Sequence, residues 1–290
     1  MQIKKELPEI FGEFGEMRQK SFLAAYEMKQ KNIPFVGTFC TYFPQEIAMA
    51  MGACVVGLCS TSDETIPDAE KDLPRNLCPL IKSSYGFAKT DKCPYFYFSD
   101  LIVGETTCDG KKKMYEYLGQ FKPVYTMELP NAQSPAGLEL WTKEIIKLKE
   151  KLESFFEVTI TEEQVREQVK IMNNVRRAMK EFYSLTLPEP VPVLGQDLFK
   201  VLYGSSFKFD KKRLPEEVHA ICEKIRAEYQ ENPNQPLFIL DGFETTLTKI
   251  MDLDMNYHTS CRKVSTFGDQ TPGYAAGDDE TWCYVKCNIF

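Results

Sequence analysis

Cysteine is the residue type with the clearest capacity for chemistry in this chain, which has ten cysteines among 290 residues. Cys40, Cys78 and Cys108 each stand just before a segment whose pattern predicts a helix. Cys40 and Cys108 also follow predicted strands. The positive end of a helix dipole stabilises the thiolate, which is the form that binds metals. These three positions therefore predict a thiolate site for a soft metal.

Soft thiolate ligands select iron–sulfur clusters or zinc. The three cysteines are separated by 37 and then 29 intervening residues, with no Cys-x-x-Cys pair among them, which disfavours a structural zinc site. Three thiolates would leave one metal position open for a substrate or another ligand, and an open position suggests catalysis. Spacing alone leaves the alternative open that these are ordinary core cysteines.

The other cysteines carry weaker signals. We interpret Cys54 and Cys222 as packing residues, because free cysteine is a common small core residue. Cys59 and Cys93 stay ambiguous, since both fall at predicted strand edges near the proposed site. The remaining three lie in an irregular, polar C-terminal tail and are Cys261, Cys283 and Cys287.

Other chemistries find little support. His219 and His258 are the only histidines, which disfavours a Cys–His dyad or a histidine-rich metal site. The segment 104–110 has neither the spacing nor the lysine of a phosphate-binding loop. The run 111–113 of three lysines could attract an anion, but a charge run favours a solvated helix face. The sequence identifies no acid–base residue, although Tyr42, Glu46 and Glu105 are close in sequence to the cysteines.

The elements that must position the cysteines alternate between strand and helix. Apolar runs predict strands over 33–39, 53–58, 95–103 and 124–127, with helices over 43–52, 78–88 and 111–118. Near-continuous apolar strands are typical of a parallel sheet covered on both faces, as in flavodoxin-like and Rossmann-like α/β domains. Ligands gather beyond the carboxyl ends of such strands, so that cysteines distant in sequence can converge there.

The rest of the chain predicts a helical insertion and the start of a second α/β domain. Ser134-Pro135 and the capping box from Thr161 to Gln164 predict two long amphipathic helices, interpreted as packing elements without chemistry. Further helices are predicted over 198–203 and 214–229, and a strand over 237–240. The predicted organisation is an α/β cluster-binding domain of 1–133 with 185–232, a helical segment 134–184 packing on it, and a truncated or aberrant second α/β domain 233–290.

Bulk properties narrow the class of protein. The net charge of −7 and the pI near 5.2 disfavour a nucleic-acid surface. No segment reaches the roughly 18 consecutive apolar residues of a membrane span. The first residues lack the apolar stretch of a signal peptide, so the sequence predicts a cytoplasmic protein. Disulfides are rare in that compartment, which makes metal or redox chemistry the better use of many cysteines.

Three segments resemble the motifs of the 2-hydroxyacyl-CoA dehydratase family. They are GTFCTYFPQE at 37–46, NLCPLIKS at 76–83 and SDLIVGETTCDGKKKM at 99–114. The last is similar to the branch called double-cubane cluster proteins. The resemblance implies that Cys40, Cys78 and Cys108 bind irons of one [4Fe–4S] cluster, alone or as half of a double-cubane [8Fe–9S] cluster. It also implies a partner, an ATP-hydrolysing iron–sulfur activator protein that supplies low-potential electrons.

Three functional hypotheses follow from the resemblance. The leading one is the iron–sulfur component of an ATP-dependent low-potential reductase, acting as a homo- or heterodimer on a small-molecule or acyl-CoA substrate. The second is a 2-hydroxyacyl-CoA dehydratase subunit, a lyase that works through a ketyl radical. The third is a truncated, inactive paralogue, because Asp241-Gly242 follows the predicted strand 237–240 where the family has a Gly-Cys-Pro turn.

Overall fold

The computed structural model describes residues 6–13, 15–60, 62–188, 191–193 and 195–231. Its strands are β1 (Phe35–Thr38), β2 (Cys54–Gly57), β3 (Leu101–Glu105) and β4 (Val124–Met127). Its helices are α1 (Glu16–Gln30), α2 (Gln45–Ala50), α3 (Ile66–Ala69), α4 (Pro79–Lys89), α5 (Pro94–Phe98), α6 (Asp109–Leu118), α7 (Pro135–Phe156), α8 (Glu162–Ser184), α9 (Gly195–Ser205) and α10 (Leu214–Glu231). The predictions made for 233–290, including those for His258, Cys261, Cys283 and Cys287, lie outside the described residues.

The four strands form one parallel sheet in the order β2-β1-β3-β4. Phe35 of β1 is in register with Cys54 of β2, and Val36 with Leu101 of β3. The predicted α/β fold with a parallel sheet is confirmed, and the strand order is the flavodoxin-like one. The chain moves outward from β1 to β2 and then returns to the other side of β1 to form β3. This reversal makes a topological switch point between β1 and β3, the position where open α/β sheets bind ligands.

Successive side chains of each strand point to opposite faces of the sheet. Both faces are therefore apolar, and helices cover both of them. Phe35 and Ile102 point into a cluster with α1, α4, α5 and α6. Val36, Leu101 and Val103 point the opposite way, into a cluster with α2 and α7. β1 and β3 are buried along their whole length, as expected of central strands in a sheet that is covered twice.

A third apolar cluster lies away from the sheet, between α8, α9 and α10. It includes Met172, Phe182, Val201, Val218 and Cys222, all nearly inaccessible to solvent. The interpretation of Cys222 as a packing residue is confirmed, and so is that of Cys54 in the sheet cluster. None of the helices in the described part of the chain is long and apolar enough to cross a bilayer.

The two predicted helix starts at Ser134 and Thr161 are confirmed. The Ser134 hydroxyl accepts a hydrogen bond from the Gly137 amide. Thr161 and Gln164 bond reciprocally in a complete capping box. These contacts satisfy amide groups that have no partner within the helix.

The prediction of a third strand over 95–103 is wrong in its first half. Pro94–Phe98 forms α5, and β3 begins at Leu101. Pro94 suits the first turn of a helix, and the Cys93 thiol caps it by accepting a hydrogen bond from the Phe96 amide at 3.4 Å. The aromatic residues that suggested a strand pack from this short helix into the sheet cluster.

Candidate functional site

Three cysteines follow three neighbouring strands at one edge of the sheet. Cys59 comes two residues after β2, Cys40 two residues after β1, and Cys108 three residues after β3. Because the strands are parallel and ordered β2-β1-β3, these residues lie along the carboxyl edge in the order Cys59, Cys40, Cys108. Cys40 and Cys108 flank the switch point itself.

The Cys40 backbone is held in an unusual conformation. Its φ of 66° lies in the left-handed region, which residues with a Cβ rarely adopt. The half-buried Cys40 thiol lies 3.3 Å from the Thr107 hydroxyl, which joins the loop after β1 to the loop after β3. Such backbone strain persists only where the surroundings enforce it, and it concentrates at functional sites.

Cys108 is exposed and caps α6, where its sulfur accepts a hydrogen bond from the Lys111 amide at 3.4 Å. The Lys111 ammonium turns the other way and donates to the Cys40 sulfur at 2.6 Å. Lys111 is 6% exposed. The prediction that 111–113 is a solvated helix face is therefore wrong for Lys111, although it holds for the exposed Lys112 and Lys113. In an amphipathic helix consecutive residues point in different directions, so a charge run need not share one environment.

Cys78 is exposed and stands directly before α4, with Pro79 in the first helical position. Its neighbour Leu77 packs beside Ile81 against the first turn of α6. A Cβ placed on Gly110 would lie only 2.7 Å from the Ile81 Cδ1 atom and 3.0 Å from the Leu77 Cδ1 atom. The start of α4, with Cys78, is thus packed closely against the start of α6, with Cys108.

Cys59 and Cys93 differ in their relation to this edge. Cys59 lies at the carboxyl edge, with its sulfur 3.8 Å from the Lys111 ammonium, and its carbonyl accepts a hydrogen bond from the Tyr203 hydroxyl at 3.4 Å. Cys93 precedes α5 rather than standing at a strand edge, and it packs into the sheet cluster. The predicted placement of Cys93 at a strand edge is wrong, because the segment after it is helical.

The electrostatics of the edge depend on the contact between the amine and the thiols. Burial lowers the pKa of Lys111, but the neighbouring Cys59 and Cys40 sulfurs raise it by more, so the amine stays charged. Burial raises the pKa of the Cys59 thiol, and nearby Lys111 only partly offsets that effect. The Lys111 amine thus lies among sulfur atoms at the ends of these strands.

Glu105, the last residue of β3, is completely buried. Within the described residues neither of its carboxylate oxygens has a hydrogen bond of ordinary geometry. Burial raises the pKa of Glu105 to about 7, although the Phe43 and Tyr42 amides and the Lys111 cation lower it in part. Glu46, by contrast, is paired with Arg176, and Tyr42 is 42% exposed.

The cysteines near this edge offer sulfur atoms as possible metal ligands. Sulfur atoms are the right donors for iron–sulfur clusters. No three cysteine sulfurs among the described residues lie within 4.8 Å of one another, as the ligands of one ion would. A cubane attaches each thiolate to a different iron atom and therefore holds its ligands farther apart. Cys40, Cys78 and Cys108 are the residues that could hold such a group here.

One other group of ligand-type side chains occurs in the described part of the chain. Glu181, His219 and Glu223 bring their donor atoms within 4.8 Å of one another on the surface of α8 and α10. The Arg226 guanidinium lies 2.7 Å from oxygens of both carboxylates. Arg226 therefore pairs with both carboxylates, and the group is best described as a surface ion-pair network.

The fold and the edge together define a class: a parallel α/β protein with several thiols and a buried cation at its switch point. The family model for the 2-hydroxyglutaryl-CoA dehydratase D-component matches residues 40–256, a span that begins at Cys40 and includes Cys78 and Cys108. The chain belongs to this family, which confirms the resemblance seen in its three motifs.

Curated relatives agree with this assignment. The chain is 54% identical over 246 residues to a putative dehydratase subunit, YjiM, of Escherichia coli; the match covers 83% of this chain and 64% of that protein. It is 26% identical to the lactoyl-CoA dehydratase beta subunit of Anaerotignum propionicum, over 74% of this chain and 55% of the relative. A benzoyl-CoA reductase subunit of Thauera aromatica is 24% identical, over 79% and 63%. The chain thus spans between about half and two thirds of these relatives.

Proposed function

We propose that the chain is the iron–sulfur component of a low-potential enzyme of this family, with Cys40, Cys78 and Cys108 as the protein ligands of one [4Fe–4S] cluster. The observation that carries the proposal is the junction at the switch point, where Lys111 contacts the sulfurs of both Cys40 and Cys108. When bound, such a cluster supplies one-electron transfer at low potential.

The chain's own residues explain how such a group would be held. Cys40 and Cys108 come from the loops after the two central strands, which fixes their separation. Cys78 comes from the start of α4, packed on the start of α6. Only three thiols are assigned, so one iron would remain available to a substrate or a small ligand. The cytoplasm, where thiols stay reduced, is the location that suits this chemistry.

Electrons for this site would come from a separate partner, an ATP-hydrolysing iron–sulfur activator. The proposal includes a homo- or heterodimer and a small-molecule or acyl-CoA substrate. The names of the relatives support both branches of the family, since they include dehydratase beta subunits and a benzoyl-CoA reductase subunit. We propose reduction as the leading activity. Dehydration of a 2-hydroxyacyl-CoA is the second candidate, favoured by the dehydratase name of the relative with 54% identity.

Iron binding tests the ligand assignment. The full chain is reconstituted anaerobically with iron and sulfide, and iron is counted per folded protein alongside the visible absorbance. Cys40→Ala, Cys78→Ala and Cys108→Ala are each expected to lose most of the iron. Cys54→Ala and Cys222→Ala are matched controls, because both remove a buried cysteine of an apolar cluster. Equal iron content in all five variants and the wild type would refute the assignment.

Reductant consumption distinguishes the two candidate reactions. A reductase consumes reducing equivalents in proportion to its product, whereas dehydration returns the electron at the end of each cycle. The reconstituted chain, with its activator and ATP or with a low-potential chemical reductant, is incubated with a 2-hydroxyacyl-CoA. Loss of water with little reductant consumed indicates the dehydratase. Stoichiometric consumption with a reduced product indicates the reductase.

A further inference from the structure

Lys111 differs from the neighbouring Lys112 and Lys113 in its burial and in its ion pairing. Its side chain is 6% exposed and lies at the centre of the carboxyl edge. The adjacent Lys112 side chain is 49% exposed and pairs with Asp109, and Lys113 is exposed and pairs with Glu116. Among the residues that the structure describes, no carboxylate forms an ion pair with Lys111. A buried cation without a carboxylate is costly, so its position calls for another source of negative charge.

That source is sulfur. The Lys111 amide donates to the Cys108 sulfur at 3.4 Å, and the ammonium donates to the Cys40 sulfur at 2.6 Å. One residue therefore contacts two thiols that come from different loops. The ammonium also lies 5.7 Å from the centre of the Phe39 ring and 3.8 Å from the Cys59 sulfur. These contacts leave the stem enclosed and the charge directed at the thiols.

Hydrogen bonds to the sulfur ligands and nearby charge are the main means by which a protein sets the potential of an iron–sulfur cluster. A positive charge next to a thiolate ligand favours the reduced, more negative state. Among the described residues, the Glu46 carboxylate is paired with Arg176 rather than with Lys111. The charged group in contact with the sulfurs is the Lys111 ammonium.

We propose that Lys111 is a positioning residue of the cluster site: it fixes the sulfurs of Cys40 and Cys108 relative to each other and raises the reduction potential of the group they hold. The inference rests on the proposed function, since it concerns the same three-cysteine site. It assigns to Lys111 a role in how readily the site accepts an electron.

The test compares Lys111→Met with Lys111→Arg and with Lys112→Met, an exposed matched control. Each full-length variant is reconstituted anaerobically, iron is counted, and the midpoint potential is measured by a redox titration followed by electron paramagnetic resonance. Lys111→Met is expected to lower the reduced-to-oxidised ratio at a given potential about tenfold, which corresponds to about 59 mV for one electron. Lys111→Arg, which keeps the charge, and Lys112→Met should stay close to the wild type.

The outcomes separate this inference from the proposed function. A fully loaded Lys111→Met protein with the midpoint of Lys112→Met overturns the inference and leaves the ligand assignment standing. If Lys111→Met takes up no iron, the iron content of Lys111→Arg distinguishes the explanations. Normal iron content in Lys111→Arg supports the role of the cation. Iron content as low as that of Lys111→Met contradicts it. A wild-type chain that binds no iron through Cys40, Cys78 and Cys108 refutes the proposed function itself.

Discussion

A buried lysine lies near each end of the central strands β1 and β3, and the two lysines have different partners: Lys29 pairs with a carboxylate, whereas Lys111 contacts sulfur atoms. At the amino edge, the Lys29 ammonium lies 2.6 and 2.5 Å from the two oxygens of Asp100, which also accepts a hydrogen bond from the Phe35 amide at 2.8 Å. At the carboxyl edge, Lys111 contacts sulfurs, while the buried carboxylate of Glu105 has no ordinary hydrogen bond among the described residues.

This difference separates a structural site from a functional one. Lys29 and Asp100 form a buried ion pair, and Asp100 also accepts a hydrogen bond from the Phe35 amide. The carboxyl edge retains a strained Cys40, a buried cation without a carboxylate partner in the described structure, and a buried carboxyl group. Unsatisfied polar groups and backbone strain cost stability, and they persist where a function requires them. The edge that is poorer in internal contacts is therefore the better candidate for chemistry.

The largest effect is expected at the amino edge. Asp100→Ala leaves Lys29 charged and buried without its partner, and breaking a buried pair in this way costs about 3–5 kcal/mol. Urea unfolding of the metal-free chain measures the loss. Iron bound per folded protein should not change. A double variant, Lys29→Met with Asp100→Leu, removes both charges and should be less destabilised. A loss of iron binding in folded Asp100→Ala would show that the two edges are coupled.

A smaller effect of opposite sign is expected for Glu105→Gln. Burial raises the pKa of Glu105 from 4.5 to about 7 in the folded state. The folded chain therefore favours the protonated form, whose contribution to stability is complete below pH 4.5 and is lost as the pH rises through 7. Glutamine resembles the protonated carboxyl group. At pH 8 the variant should be more stable than the wild type by up to about 3 kcal/mol, with little difference near pH 4.5.

Unfolding of the metal-free protein at both pH values measures this effect. Glu139→Gln is a suitable control, since Glu139 is exposed and its pair with Lys143 lies at the surface. Equal stability of Glu105→Gln and the wild type at pH 8 would mean that Glu105 is better satisfied than its surroundings indicate.

The sequence predicted the sheet and its thiols better than it predicted the polar groups around them. The apolar run 33–39 contains β1, whose four residues are all buried, because a central strand of a sheet covered on both faces needs continuous apolar residues. Lys111 and Glu105 were missed, since a charged residue in a sequence pattern is read as exposed. Their burial depends on contacts with residues distant in sequence, and no local period records those contacts. The one sequence signal for Glu105 and Lys111 is that both fall in the motif 99–114, close to its glycines and to Cys108.

Gly104→Ala tests how tightly β3 packs against Tyr115 of α6 near the carboxyl edge. A Cβ at Gly104 would lie 2.4 to 2.7 Å from atoms of the Tyr115 ring, whose hydroxyl accepts a hydrogen bond from the Glu105 amide at 3.2 Å. Overpacking of this kind costs about 1–3 kcal/mol. Gly57→Ala is the matched control in β2, because no atom lies within 4 Å of the added Cβ. Urea midpoints of the two variants should differ clearly, and equal midpoints would show that Tyr115 moves aside without cost.

The smallest effect on stability is expected for Lys111→Met in the metal-free chain. Methionine fills the space of the lysine stem and removes a buried charge that has no carboxylate partner in the described structure, so the free energy of unfolding should change by less than about 1 kcal/mol. Lys29→Met, at the other end of the same strands, leaves Asp100 buried and unpaired and should cost several times more. Parallel urea unfolding of the two variants compares the two edges directly. Equal losses would mean that Lys111 belongs to the structural framework as Lys29 does. If only Lys29→Met lowers the free energy of unfolding, Lys111 contributes little to folding. The burial of Lys111 is then explained by its contacts with the thiols rather than by stability.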